Sequence, residues 1–113
     1  MKQNNCIFCS IAHKEINADI VVESENYIAF KDINAQAPIH VLLIPKKHYE
    51  NLHSIDDLEI CKDLMTGIKE VVTKLNIKDG YRVVANTGEI GGQTVNHMHF
   101  HILSGRSLHW PPG

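Results

Sequence analysis

The chain has 113 residues, 43% hydrophobic and 21% charged, which suits one domain with a real core and argues against disorder. Eleven Lys and Arg stand against 13 Asp and Glu, a net charge of −2, so neither a basic nucleic-acid surface nor a polybasic membrane contact is expected. No apolar run has the length of a signal peptide or a membrane span, and the three cysteines are expected as reduced thiols in the cytoplasm.

Cys6–His13 reads as a short helix: Ile7, Phe8, Ile11 and Ala12 fall at helical spacing, and Asn5 stands where an N-cap belongs. Ile20–Val22 and Tyr27–Lys31 read as short strands around the turn-prone Glu23–Asn26. Ile39–Ile44 is β-branched, nearly continuous in apolar residues and followed by Pro45, the pattern of a central strand. Ser54 with Asp57 resembles a capping box opening a long helix. Its apolar face is Leu58, Cys61, Leu64, Met65, Ile68, Val71, Val72 and Leu75, with Cys61 a core residue. Asn76 and the Lys78–Gly80 turn lead to a strand at Tyr81–Ala85, a glycine-rich loop at Asn86–Gln93 and a last strand at Thr94–Leu103. The expected fold is α+β, an antiparallel sheet of about five strands with one long and one short helix, in a single domain over residues 1–113.

Eight histidines are present, and three of them fall within five residues. Side chains alternate along an extended chain, so His97, His99 and His101 share one face and Met98, Phe100 and Ile102 the other. Three readings are open: a polar solvent face, a metal site or a catalytic site. The preceding loop favours catalysis. Its glycines let backbone N–H groups approach an anion, and Gln93 and Thr94 add donors, which together make a phosphate cradle beside a nucleophile. A neutral imidazole is nucleophilic near neutral pH, and attack on phosphorus gives a P–N bond that water cleaves in a second step.

The segment GGQTVNHMHFHILSG fits the His-x-His-x-His signature of the histidine triad (HIT) superfamily. Together with AFKDINAQAPIHVLLIPKKH and the terminal HWPPG, it resembles the Hint branch, the histidine triad nucleotide-binding proteins, across nearly the whole chain. That resemblance implies a homodimer, its two sheets joined into one, that hydrolyses purine nucleoside phosphoramidates and acyl-adenylates through a nucleotidylated histidine. It makes His99 the nucleophile, sets His101 against the transferred phosphate and assigns support of the site to His40, with His97 the first member of the triad. It further implies that Asp32 binds the ribose, that Phe8, Ile11, Ile16, Phe30 and Ile33 wall the base, and that Asn86, Gly92, Gln93 and Thr94 hold the phosphates. The same resemblance implies that Trp110 in the tail reaches toward the partner's site. For the five apolar residues an ordinary core role is an equal reading. Two positions depart from the branch: Asn96 stands where an aromatic residue is usual, and Thr94 where Ser is common.

Cys6-x-x-Cys9 is a zinc half-site, and His48 with His97 would complete a Cys₂His₂ set. Bacterial HIT proteins and the related galactose-1-phosphate uridylyltransferases look similar here. The chemistry needs no cofactor, since many Hint-like proteins lack the pair, so any zinc is structural; two buried thiols beside a packed histidine is the other reading. The activity implied is that of an adenosine 5'-monophosphoramidase. The alternatives are a dinucleoside polyphosphate hydrolase of the Fhit-like branch and a non-catalytic nucleotide-binding regulator.

Overall fold

The computed structural model describes residues 5–113, and the apolar run at the centre of the sequence organises it. The elements are α1 (Ile7–Ala12), β1 (Ile20–Glu23), β2 (Tyr27–Lys31), β3 (Ile39–Pro45), a 3₁₀ turn at Leu52–Ser54, α2 (Leu58–Lys74), β4 (Arg82–Val84) and β5 (Phe100–Ser104). The five strands form one antiparallel sheet in the order β1-β2-β3-β5-β4, so β3 is central and β4 lies at an edge. Because β3 is covered on both faces, it has no need of polar alternation, which is why its sequence reads as a continuous apolar run.

Val41 and Leu43 of β3 pack with Tyr27, Ala29, Phe100 and Ile102 against Ile60, Leu64, Ile68 and Val71 of α2. On the other face Leu42 and Ile44 join Ile28 and Phe30 in a second core with Cys6, Phe8, Cys9, Ile11 and Ala12, so that α1 closes this side. Helix α2 is narrower in its buried stripe than the periodicity suggests. Leu58 and Met65 are exposed and Cys61 only half-buried, because the sheet covers the face centred on Leu64 and Ile68 and leaves the flanking rows to solvent. At the far end Asn76 takes a left-handed φ of 55°, and the Ile77 N–H returns to the Val72 carbonyl at 3.0 Å, closing the helix.

Four boundaries differ most from expectation. The N-cap of α1 is Cys6, not Asn5: its Sγ accepts the Cys9 N–H at 3.3 Å. Ser54 does not cap α2, because Asn51 takes both its N–H and its hydroxyl at 2.9 Å; Asp57 is the cap and accepts the Glu59 N–H. The last strand runs Phe100–Ser104 rather than from Thr94, and the Tyr81–Ala85 strand shortens to Arg82–Val84. Pro45 ends the partner strand and its carbonyl is taken by the His97 ring, so no ladder forms ahead of Phe100. The side-chain alternation nonetheless holds through the irregular stretch, with Met98, Phe100 and Ile102 all in the α2 core. No helix among the described residues is long and apolar enough to cross a membrane.

Candidate functional site

The register that pairs Leu42 with His101 and His40 with Leu103 sets His40 and His101 diagonally across β3 and β5. Diagonal neighbours on one face lie within reach of aromatic rings, and here His40 Nε2 and His101 Nδ1 meet at 2.8 Å. The Gln36 backbone N–H donates to His40 Nδ1 at 3.0 Å. Since a backbone N–H can only donate, His40 Nδ1 is the acceptor and its one proton sits on Nε2. That proton points at His101 Nδ1, so His101 carries its own on Nε2. Burial, followed by the neighbouring His99 and His40, pushes the His101 pKa down from 6.5 to about 4, so the ring is neutral near pH 7. Burial also lowers His40, against an upward pull from Asp32.

His99 is fixed by a similar device. Its Nδ1 lies 2.7 Å from the His97 carbonyl, an acceptor, so Nδ1 is the protonated nitrogen and Nε2 keeps a free lone pair. The ring lies edge-on to Phe8 at 5.1 Å and to His101 at 5.0 Å between centroids. A buried, oriented imidazole with a bare Nε2 beside a neutral Nε2–H donor can attack an electrophile while the neighbour holds an adjacent oxygen.

His97 is different: it is fully buried and both ring nitrogens are engaged. Nε2 donates to the Pro45 carbonyl at 2.8 Å, and Nδ1 faces Cys6 Sγ at 3.3 Å, Cys9 Sγ at 3.4 Å and His48 Nδ1 at 3.2 Å. Cys9 Sγ lies 3.3 Å from His48 Nδ1. A zinc ion with bonds of about 2.0–2.3 Å imposes ligand separations of roughly 3.3–3.8 Å in a tetrahedron. The four contacts above, at 3.2–3.4 Å, lie near the short end of that range, and all four atoms are within 4.8 Å of one another. Burial lowers the His97 pKa to about 4 and also lowers His48, which leaves both rings as neutral bases suited to a metal. His97 therefore has no nitrogen left for a substrate, and it serves the site through its carbonyl.

The remaining sequence candidates divide. Asp32 reaches His40 Nε2 at 3.4 Å with one oxygen and accepts the Asn34 N–H at 2.8 Å with the other. Phe8, Ile11 and Phe30 are buried in the second core, with Phe8 and Phe30 edge to face at 5.6 Å. Ile16 is partly exposed and Ile33 wholly so, which rules out a core role for Ile33. The loop curls tightly at Gly91, where any Cβ would sit 2.4 Å from the Thr87 carbonyl. Gly92 and Thr94 are exposed and Asn86 half-buried. The Gln93 amide is spent on backbone: Nε2 donates to the Glu50 and Val95 carbonyls at 2.6 and 3.0 Å, and Oε1 accepts the Gly88 N–H at 2.9 Å. It shapes the loop and has little left for a phosphate. Trp110 is 81% exposed within the single chain, so the burial expected of an indole is not found there. Arg82 holds that tail through the Leu108 and His109 carbonyls at 3.2 and 2.8 Å.

Sequence reasoning missed the backbone partners, namely the Gln36 N–H and the Pro45 and His97 carbonyls. Backbone groups carry no residue-type signal. A groove of about 620 Å³ between β1 and α2 lies on the other side of the sheet and contains none of these histidines.

The model of the HIT domain family matches residues 13–108. An uncharacterised HIT-like protein of Synechocystis is 49% identical over 109 residues, covering 95% of this chain and 96% of the relative. A HIT family hydrolase from Legionella pneumophila superposes with a TM-score of 0.91 at 43% identity, covering 96% of this chain and all of that one. The histidine triad nucleotide-binding protein from Candida albicans superposes with a TM-score of 0.82 at 34% identity, covering 95% of this chain and 83% of the other. Its fold is that of HIT family hydrolases, and the chain belongs to the HIT domain family.

Proposed function

We propose that this protein hydrolyses purine nucleoside phosphoramidates through a covalent nucleotidyl-His99 intermediate. One observation carries the reading: His99 Nδ1 is held on the His97 carbonyl, which leaves Nε2 as a bare, oriented nucleophile beside the neutral His40–His101 pair. His99 Nε2 forms a bond to the α-phosphorus, the P–N bond to the amine breaks, and the amine departs with a proton. His101 Nε2–H donates to a non-bridging phosphoryl oxygen, where charge collects. It is a poor source of the departing proton, because its Nδ1 is committed to accepting from His40 and loss of Nε2–H would leave an anionic ring. The proton comes from solvent, and Thr94, exposed at the exit of the loop, can relay it because a hydroxyl accepts one proton as it donates another. Water then cleaves the nucleotidyl-histidine.

Asp32, beside His40, would take the ribose hydroxyls, and the exposed Ile33 would cover the base from the rim while Phe8, Ile11 and Phe30 form its floor. Cys6, Cys9, His48 and His97 would hold one structural zinc, which ties α1 to the end of β3 and fixes the His97 carbonyl on which His99 depends. A homodimer in the cytoplasm is part of the proposal. The edge strand β4 with half-exposed Tyr81 and Val83, and Leu58 and Met65 on α2, supply the apolar surface for it.

The test is a substrate comparison with purified protein. Adenosine phosphoramidate should turn over and diadenosine polyphosphates should be poor substrates. The reverse order would move the chain to the Fhit-like reading, and turnover of neither would leave a nucleotide-binding regulator.

A further inference from the structure

The tautomer of His101 depends on a proton that begins outside the site. His40 Nδ1 accepts from the Gln36 N–H, and His40 Nε2–H then faces His101 Nδ1. If the Gln36 N–H turned away, only Asp32 Oδ2, 3.4 Å from Nε2, would still favour Nε2–H, and His40 could carry its proton on Nδ1 in a fraction of molecules. Its Nε2 would become an acceptor, His101 would protonate on Nδ1, and the nitrogen left facing the open side would be a lone pair. A lone pair repels an anion that an N–H attracts.

Gln36 lies on the loop between β2 and β3, itself exposed although Ala37 beside it is buried, and its side chain donates to the Asn34 carbonyl at 3.0 Å. Its own carbonyl is gripped from outside the loop by Arg106, 70 residues away, whose Nε and Nη2 both donate to it, at 3.3 and 3.0 Å. Its third donor, Nη1, reaches the Ser107 carbonyl at 2.9 Å and stiffens the turn that carries it. A second feature brings the two segments together. Gly105 has φ +92°, and a Cβ there would meet Pro38 Cβ at 2.8 Å, so the turn after β5 lies directly against the end of the loop. Two donors of one planar guanidinium converge on a single oxygen and hold the peptide between Gln36 and Ala37; the Gln36 N–H belongs to the preceding peptide, so the grip reaches it through the backbone of Gln36 itself.

We infer that Arg106 is a positioning residue: by clamping the Gln36 carbonyl it restrains the backbone of Gln36, keeps the adjoining N–H on His40 Nδ1 and so favours the His40–His101 tautomer that presents His101 Nε2–H to the substrate. The kinetic half of this rests on the phosphoryl-transfer reading above; the tautomer half does not.

Long-range ¹⁵N–¹H spectra of uniformly labelled full-length protein report which ring nitrogen of His40 and His101 is protonated. Wild type should show Nε2–H alone for both rings. Arg106→Met should mix the tautomers and lower kcat on the order of tenfold, as small misplacements do, with KM within about twofold. Arg106→Lys, which can still donate to the carbonyl, should restore much of both. Should the Met variant fold poorly, the Lys variant alone decides, since it should fall between wild-type and mixed spectra. Wild-type protein with Nδ1–H on His101, variants with unaltered ring spectra, or a loss confined to KM would each overturn the proposal. If wild type hydrolyses no nucleotide, the functional reading fails while the ring spectra still test the clamp.

Discussion

An imidazole has two nitrogens, and His40, His97 and His99 each commit one of theirs to a backbone group, while His101 commits one to His40. This allocation decides what each ring can do. His99 keeps a lone pair, His101 keeps an N–H, and His97 keeps neither for a substrate. It also makes the site sensitive to acid. His101 is depressed from 6.5 to about 4, chiefly by burial, so the folded chain binds fewer protons there than the unfolded chain in that interval. Its contribution to stability is complete above 6.5 and is lost as the pH falls toward 4. The melting temperature should therefore be level above that window and decline within it. His101→Asn, which removes one titrating ring, should shallow the decline; a variant whose curve parallels wild type would show that His101 is not one of the responsible groups.

At the scale of elements, α1 is six residues long and too short to be stable alone, so its position depends on what it touches. Cys6 and Cys9 open it, and both thiols face the His48–His97 pair, so this cluster joins the helix to the end of β3, and the zinc we propose there would tighten the link. Elemental analysis should find close to one zinc per chain. Cys9→Ser should lose the metal and melt at least roughly 4 °C lower, the shift that about 1 kcal/mol causes in a domain of this size. Wild-type protein that is metal-free and equally stable would support the plain-thiol reading. Helix α2 and strand β3 were legible in the sequence because each carries a strong period or run, and the alternation of His97, His99 and His101 against Met98, Phe100 and Ile102 survives in the structure. The start of β5 was not legible. It depends on His97 taking the Pro45 carbonyl, a contact across 52 residues that no local pattern encodes. Ser54 looked like a helix cap for a different, local reason: Asn51, three residues before it, caps the 3₁₀ turn and takes its N–H and hydroxyl instead. Within the site, the histidine and cysteine side chains could be picked out by type and spacing, whereas the backbone groups that orient them appear only when the chain is folded.

At the scale of the molecule, the tail and the edge strand are unfinished in one chain. Trp110 is largely exposed although Arg82 pins the preceding carbonyls, and β4 leaves one side of its backbone unpaired within the sheet. In the homodimer we propose, a second copy would complete both, joining the two sheets and setting each tail near its partner's histidines. Deleting residues 109–113 should leave a dimer by mass in solution but change the relative rates on two phosphoramidates that differ only in the amine. Unchanged rates on both would show that the tail is idle, and a monomeric full-length protein would remove the premise.

The covalent step is open to a direct measurement. Protein mixed with adenosine phosphoramidate and quenched in the steady state should gain the mass of one adenylyl group, and peptide mapping should place it on His99. His99→Ala should show no adduct and no turnover while keeping AMP affinity within about tenfold, since the nucleophile contributes to the reaction rather than to ground-state binding. An adduct on His97 or His101, or full turnover by the His99→Ala protein, would contradict the account.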